Sequence, residues 1–246
     1  PGAGVELPVW SDLVARGVLL TNAAGVHAEP VAQYVFTYIL HWERQVARHA
    51  RQQEAQQWAP IMPDDLTVKT LGIVGYGGIG SALARIGTAF GMRVEALRRS
   101  PVDDVHVDAA HEPEGLLDLL ARSDYVVLTL PLTAATELLI DATALDAMRD
   151  TAVLVNVARG GVVDQDALIT ALRRGSIRGA VLDVVDPEPL PLDSPLWTLE
   201  NCVITPHDAG YSPLAGERLG QLFLDNLGRY VEGHPLRNRI GPADLR

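Results

Sequence analysis

The stretch Leu71-Gly72-Ile73-Val74-Gly75-Tyr76-Gly77-Gly78-Ile79-Gly80 decides the fold. It joins a short apolar run, typical of a buried strand, to the spaced glycines of a phosphate-binding turn that opens a helix. Gly75 permits the tight turn, Gly77 lets a pyrophosphate approach the backbone, and Gly80 lets helix and strand pack closely. The helix N-terminus offers N–H groups and a positive dipole end to phosphates, so Gly78 and Ile79 join the expected cofactor site. The stretch therefore predicts a dinucleotide-binding turn.

Outward from this turn, apolar runs alternate with helical patterns. Buried strands are predicted at residues 71–74, 92–97, 125–130, 153–157, 180–184 and 203–205. Helices are predicted between them, for instance at 79–90 and 165–174, each followed by a glycine that suits a helix end. Alternation of this kind predicts an α/β fold, a doubly wound parallel sheet with helices on both faces.

Two long helices are predicted outside this core, at residues 30–51 and 213–232, and a strand at 18–21. A polar segment ending in prolines, 52–63, marks the crossing into the nucleotide domain. We therefore divide the chain into three parts: 1–59, 60–206 as the dinucleotide-binding domain, and 207–246 as a return segment with the last helix.

Composition narrows the function classes. The net charge of -11 argues against nucleic-acid or anionic-membrane partners, and no apolar run approaches the length of a membrane span. We expect a small-molecule partner instead. The single cysteine, Cys202, cannot form an internal disulfide and is expected to be a buried, inert thiol, so a cytoplasmic location is predicted.

The residues after the second predicted strand favour NADP. NAD enzymes place an acid there to bind the adenosine ribose, but this chain has Arg98, Arg99 and Ser100. Two guanidiniums and a hydroxyl suit a 2′-phosphate, while alternation along the strand turns Glu95 away from the site. The alternative is a solvated turn whose arginines contact no ligand.

Three downstream side chains carry candidate chemistry: Arg159, Glu188 and His207. Hydride addition to a ketone needs an acid at oxygen, and a 2-oxo acid needs a cation, so the set predicts a dehydrogenase. The alternative is a surface ion pair and a histidine that caps a turn.

Other polar residues point to no site. His27, His41, His49, His111 and His234 have no predicted acid–base partner. Residues 103–112 are rich in Asp and His, but their spacing fits no metal signature, so we expect a solvated loop and no metal.

The chain resembles the D-isomer-specific 2-hydroxyacid dehydrogenases, a family that includes glyoxylate/hydroxypyruvate reductases and phosphoglycerate dehydrogenase. The resemblance lies in the glycine turn and in Leu130-Pro131-Leu132-Thr133, Val155-Asn156-Val157-Ala158-Arg159-Gly160-Gly161, Leu182-Asp183-Val184 through Glu188-Pro189-Leu190-Pro191, and Thr205-Pro206-His207. These motifs follow one another in family order and spacing over nearly the whole chain.

The resemblance implies a role for each matching residue. Arg159 would bind the substrate carboxylate and polarise the 2-oxo group. His207 would donate the proton to the developing alkoxide, and Glu188 would hold its tautomer and favour its protonated form. Asp183 would bond the nicotinamide carboxamide. The remaining expected cofactor contacts are Pro131, Thr136, Val157, Ala158 and His207; the expected substrate contacts are Ala3, Gly4, Arg159 and His207.

The resemblance also implies a Rossmann-type domain with part of a flavodoxin-like substrate domain, and a homodimer. It favours an NADP-preferring reductase of glyoxylate or hydroxypyruvate. Phosphoglycerate dehydrogenase and a nicotinamide-sensing, corepressor-like binding protein remain alternatives. Asp208 departs from the family, which more often has an apolar residue there, so a second carboxylate is expected near the imidazole.

The largest departure is at the N-terminus. Family members begin with a flavodoxin-like half, whereas this chain starts near the end of that half. One strand and two helices cannot bury a parallel sheet. We therefore expect an upstream segment in the natural protein, exposed apolar faces on 30–51 and 213–232 without it, and NADPH binding with poor turnover by these 246 residues alone.

Overall fold

The computed structural model describes residues 9–241. The strands are β1 Leu20–Thr21, β2 Thr70–Val74, β3 Arg93–Leu97, β4 Ala109–His111, β5 Tyr125–Leu128, β6 Val153–Asn156, β7 Gly179–Leu182, β8 Cys202–Ile204 and β9 Arg239–Ile240. The α-helices are α1 Val9–Ala15, α2 Ala28–Glu43, α3 Val46–Glu54, α4 Gly78–Ala89, α5 Leu116–Arg122, α6 Ala142–Ala147, α7 Gln165–Arg174 and α8 Ala215–Val231.

Seven parallel strands form the central sheet, in the order β4-β3-β2-β5-β6-β7-β8. The chain winds outward from β2 to β4, then returns to β5 and winds the other way, which is the Rossmann arrangement predicted from the alternating pattern. All six predicted strands are present, and each end lies within two residues of its expected bound. Their continuous apolar runs reflect burial on both faces, since β5, β6 and β7 have no exposed residue.

The seventh strand, β4, corrects one expectation. Residues 103–112 were expected to form a solvated loop, but Ala109–His111 pairs in parallel with β3. The strand is at the sheet edge and only three residues long, so it lacks the apolar run that marks a buried strand. Local pattern gave no signal for it.

Helix α2 corrects a second expectation. Its apolar face was expected to be exposed, but Val31, Val35 and Ile39 are buried in the core cluster that also contains α4 and one face of the sheet. The opposite face is covered by α5, α6 and α7. Helix α2 therefore packs together with α4 on one face of the central sheet.

A hydrogen bond and a salt bridge connect the end of α2 to the sheet. The Tyr125 hydroxyl donates to Glu43 Oε1 over 2.5 Å, and Arg178 Nη1 donates to the same oxygen over 3.0 Å. Glu43 is only 3% exposed, so its charge is compensated by these donors. The single helix predicted at 30–51 ends here: Gln45 has φ +49°, outside the helical region, and α3 follows as a separate helix.

Helix α8 lies at the predicted position, and none of its residues is buried. Its apolar side chains include Phe223, Leu224 and Tyr230, all about two-thirds exposed. Next to it, β1 and β9 pair antiparallel, which brings the two ends of the described chain together. The partial flavodoxin-like domain remains an expectation. Of the helices described, none is long and apolar enough to cross a bilayer.

Candidate active site

The carboxyl ends of the parallel strands bring the candidate residues to one edge of the sheet. The glycine turn follows β2, Arg98 follows β3, Arg159 comes three residues after β6, and Asp183 follows β7. Strands β2 and β5 are neighbours whose connections leave in opposite directions, which opens a crevice at this edge. Ligands of doubly wound sheets bind in such a crevice.

The glycine turn has the shape that a pyrophosphate needs. Gly75 has φ +96°, and a Cβ there would stand 2.8 Å from the Leu130 nitrogen. Only glycine fits this position. At Gly77 the space above the backbone is open, because no atom lies within 4 Å of a built Cβ. The first turn of α4 presents the N–H groups of Gly78, Ile79 and Gly80, which have no partner within the helix. These residues therefore fit the phosphates of a dinucleotide.

The residues after β3 expose two arginines and no acid. Arg98, Arg99 and Ser100 are all exposed, and the Arg98 N–H donates to the His111 carbonyl over 3.0 Å. Glu95 faces away from the crevice, as expected, and is 1% exposed. The two guanidiniums can therefore bind a negatively charged 2′-phosphate, and no carboxylate of β3 lies there to repel it.

Buried Glu95 corrects the expectation that His111 has no acid–base partner. His111 Nε2 lies 2.8 Å from Glu95 Oε2, and Arg93 Nε lies 2.8 Å from Glu95 Oε1. Burial alone would raise the pKa of Glu95, but the bonds from Arg93 and His111 outweigh it and hold that pKa below its ordinary value. His234 has a partner too: its Nδ1 lies 3.3 Å from Glu232 Oε2, on the surface. The His111 imidazole is bonded to Glu95, while its backbone carbonyl accepts the Arg98 N–H.

The predicted contacts after β5 and β6 form two ordered turns. Thr136 Oγ1 donates to the Pro131 carbonyl over 2.7 Å, closing the turn that follows β5. The Ala158 N–H donates to Asn156 Oδ1 over 3.0 Å, while Val157 is partly buried against the core. Both turns lie at the same edge of the sheet as the glycine turn, because β2, β5 and β6 are consecutive parallel strands and each turn follows the carboxyl end of its strand.

Arg159 is held by its own turn. Its Nη1 donates to the Ala158 carbonyl over 2.6 Å, and its carbonyl accepts from Asn156 Nδ2 over 2.9 Å. The next residue, Gly160, touches the segment that leads to Glu188: a Cβ at Gly160 would lie 2.1 Å from the Val185 carbonyl carbon. The two loops are therefore in backbone contact.

Glu188 and His207 are hydrogen-bonded at the crevice edge. His207 Nδ1 donates to Glu188 Oε2 over 2.9 Å, since a carboxylate only accepts. The other carboxylate oxygen accepts the Val185 N–H over 3.2 Å, which holds Glu188 in place. The pairing leaves His207 Nε2 as the atom that can exchange a proton with a substrate. This is the arrangement of a general acid–base residue oriented by a carboxylate.

Asp183 organises the loop that carries His207. Its carboxylate accepts the Thr205 hydroxyl over 2.6 Å and the backbone N–H groups of Asp208 and Ala209 over 3.0 and 3.1 Å. The expected bond to the nicotinamide carboxamide remains a prediction. Asp208 contributes its N–H to this loop, and a second carboxylate near the imidazole remains an expectation.

Tyr34 was not foreseen as part of this site. Its hydroxyl lies 2.6 Å from Thr205 Oγ1. Burial raises the pKa of Tyr34 far above the range of an ordinary phenol, so the hydroxyl stays neutral. Only its place on the apolar face of a predicted helix was visible in the sequence, and that gives no sign of a polar role.

Other expectations concern residues that have not yet been described. Ala3 and Gly4, the expected substrate contacts, lie outside the described residues. Burial raises the pKa of the Cys202 thiol to about 12, which fits an inert thiol. Among residues 9–241 there is no cluster of three or more His, Cys, Asp and Glu that could hold a metal ion. Within 103–112, Asp104 instead accepts the Tyr76 hydroxyl over 2.8 Å.

Comparison with known proteins gives consistent matches. The profile of the D-isomer specific 2-hydroxyacid dehydrogenase NAD binding domain matches residues 36–209. A glyoxylate reductase of Korarchaeum cryptofilum is 40% identical over 231 residues, which are 90% of this chain and 69% of that protein.

Solved structures agree with these matches. A D-isomer specific 2-hydroxyacid dehydrogenase from Xanthobacter autotrophicus Py2, in complex with NADPH and MES, aligns with a TM-score of 0.88 and 34% identity over 100% of this chain and 77% of its own. An NADPH-dependent glyoxylate/hydroxypyruvate reductase from Sinorhizobium meliloti, in complex with NADP and sulfate, aligns with a TM-score of 0.87 and 25% identity over 100% and 78%.

Proposed function

The chain belongs to the D-isomer specific 2-hydroxyacid dehydrogenase family, and from that premise we propose that it reduces small 2-oxo acids such as glyoxylate or hydroxypyruvate with NADPH. The observation that carries the proposal is the pair His207–Glu188, with Nδ1 and Oε2 2.9 Å apart, at the same sheet edge as Arg159 and the glycine turn. An acid, a carboxylate partner and a cation are the side chains that this reduction requires.

Each residue has one task in the proposed reaction. Arg159 binds the carboxylate of the 2-oxo acid and polarises its carbonyl oxygen. Bound NADPH supplies the hydride. His207 Nε2 donates its proton to the oxygen that becomes the hydroxyl, and Glu188 stabilises the imidazolium before that transfer. In the oxidative direction His207 accepts the proton instead.

In this proposal the dinucleotide is bound by the glycine turn together with Pro131, Thr136, Val157, Ala158 and Asp183. Gly77 and the first turn of α4 bind the pyrophosphate, and Arg98, Arg99 and Ser100 bind the 2′-phosphate. The exposed guanidiniums and the burial of Glu95 support NADP over NAD. The NADPH and NADP reported with the two structural relatives support it as well.

We also propose a homodimer located in the cytoplasm. Trp58 and Met62 are almost fully exposed in the segment before β2, and large exposed apolar side chains support a protein–protein interface. A single cysteine fits a reducing compartment.

Initial rates with a panel of 2-oxo acids test the function. Oxidation of NADPH is followed by absorbance with the natural protein at a concentration well below that of the cofactor. Multiple turnovers with glyoxylate or hydroxypyruvate support the proposal. A strong preference for phosphorylated hydroxypyruvate would favour a phosphoglycerate dehydrogenase, and nucleotide binding without turnover would favour a sensor.

A further inference from the structure

A chain of hydroxyl groups runs from helix α2 to the loop that carries His207. Tyr34 Oη lies 2.6 Å from Thr205 Oγ1, which lies 2.6 Å from Asp183 Oδ1. A threonine hydroxyl has one hydrogen, and an ionised carboxylate only accepts, so this hydrogen goes to Asp183. Tyr34 is therefore the donor to Thr205. The bonds run in one direction, from Tyr34 through Thr205 to Asp183, and we call this set the hydroxyl relay.

The relay ends at Asp183, whose carboxylate binds residues on both sides of His207 in the sequence. Thr205 precedes the histidine, and Asp208 follows it; Asp183 Oδ1 accepts from the Thr205 hydroxyl and from the Asp208 N–H, over 2.6 and 3.0 Å. Between these two anchors His207 has φ +57°. This left-handed conformation is uncommon for a residue with a Cβ. The two bonds to Asp183 lie on either side of it in the sequence.

The first member of the relay stands on a rigid element. Tyr34 precedes Val35, which is fully buried, and its ring packs against Tyr38 with centroids 4.8 Å apart. Helix α2 is fastened at its far end by the contacts of Glu43 with Tyr125 and Arg178. The relay therefore ties the His207 loop to a fixed helix on one face of the sheet.

We propose that Tyr34 and Thr205 are positioning residues for the proton donor: through Asp183 they set where the His207 imidazole stands relative to the substrate carbonyl. This inference rests on the proposed role of His207. Neither hydroxyl is assigned a contact with substrate or cofactor, and Asp183 keeps its bonds from the Asp208 and Ala209 N–H groups when they are removed, so their loss should slow the chemical step and leave dinucleotide affinity nearly unchanged. A misplacement of about 1 Å lowers rates by roughly 10²-fold.

Two substitutions at Thr205 separate the hydroxyl from the shape of the side chain. Thr205→Val keeps the shape and removes the relay; kcat should fall by about 10- to 100-fold while the Kd for NADPH changes less than about threefold. Thr205→Ser keeps the hydroxyl and should restore kcat to within about threefold. The deuterium isotope effect on kcat with 4-deuterated NADPH should rise in Thr205→Val, because hydride transfer then limits turnover.

Tyr34→Phe tests the other end of the relay and keeps the ring. It should lower kcat by roughly three- to tenfold, and it should add nothing when combined with Thr205→Val, because both remove the same connection. Thr37→Val is the matched control: it also removes a hydroxyl from α2, but an exposed one that donates to the Gln33 carbonyl within the helix. It should leave kcat and the isotope effect unchanged.

Distinct results overturn the relay and the function. Equal kcat for Thr205→Val, Thr205→Ser and the wild type, or additive losses in the double variant, would refute the relay. If Thr205→Val does not fold, an unchanged kcat and isotope effect in Tyr34→Phe refutes it. His207→Ala serves as the reference. If His207→Ala retains turnover, the proposed function itself is refuted. If His207→Ala loses turnover while Thr205→Val keeps the kcat of the wild type, only the relay is refuted.

Discussion

His207 and Glu188 are joined by a 2.9 Å bond between Nδ1 and Oε2, and this bond decides which ring nitrogen can serve a substrate. Because Nδ1–H is taken by the carboxylate, Nε2 is left for proton exchange. The pair comes from two loops, one after β7 and one after β8, so it exists only in the folded protein.

Removing the imidazole should abolish the proton-transfer step. We expect His207→Ala to lower kcat by roughly 10²- to 10⁴-fold, the usual contribution of a general acid or base. NADPH affinity, measured by fluorescence titration, should change little, because the imidazole acts mainly in the chemical step. A loss confined to affinity would contradict the assignment.

Removing the charge of Glu188 should slow reduction. Glu188→Gln keeps the size of the side chain, but a neutral amide accepts the Nδ1–H bond more weakly than a carboxylate and can also turn its NH2 group toward Nδ1, so the ring is no longer held in one tautomer. We therefore expect kcat for reduction to fall by about tenfold or more, while the Kd for NADPH changes little. An unchanged kcat would show that Glu188 does not orient His207.

Cofactor preference should depend on Arg98. We expect kcat/KM to be at least about tenfold higher with NADPH than with NADH, since charge-assisted phosphate bonds contribute one to a few kcal/mol. Arg98→Asp should shrink or reverse that ratio. Arg174→Asp is the control, because the end of α7 lies at the opposite edge of the sheet. A wild-type preference for NADH would show that the two arginines are surface charges.

The contact between the Arg159 and Glu188 loops should tolerate no side chain at Gly160. A Cβ there would lie 2.1 Å from the Val185 carbonyl carbon, so Gly160→Ala must displace one loop. We expect a loss of about 1–3 kcal/mol in the free energy of unfolding, together with a lower kcat. Gly220→Ala in α8 meets no atom within 4 Å and should leave both unchanged or slightly raise stability. Equal behaviour of the two variants would contradict this packing.

The buried carboxylate of Glu95 should contribute to acid sensitivity. Its pKa is held below the ordinary 4.5 by Arg93 and His111 despite burial. The folded state therefore binds fewer protons, and this stabilisation is present above pH 4.5 and is lost as pH falls through the depressed value. Urea unfolding should show Glu95→Gln destabilised at pH 7, with a smaller difference near pH 3.5. Glu29→Gln, in a surface pair with Arg85, should show little difference at either pH.

Local chemistry was sufficient for six of the seven strands of the central sheet and for the choice of candidate residues. Strands buried on both faces need continuous apolar runs, and the turn at Gly75 needs a positive φ, so both left a readable pattern. The catalytic candidates Arg159, Glu188 and His207 could be chosen because their residue types and sequence motifs indicate this chemistry. Helix α8 was likewise predicted to within two residues of its ends.

Tertiary structure alone decided how those residues are held. Edge strand β4 has no apolar run, because it forms by pairing with β3 and is not buried on both faces. Helix α2 shows an apolar face in sequence, but only packing selects the nucleotide-binding sheet as its partner. Tyr34 and Thr205 are 171 positions apart in the sequence, and Asp183 and Asp208 are 25 positions apart. Such contacts depend on how whole helices and strands pack together, which the local spacing of residues does not indicate.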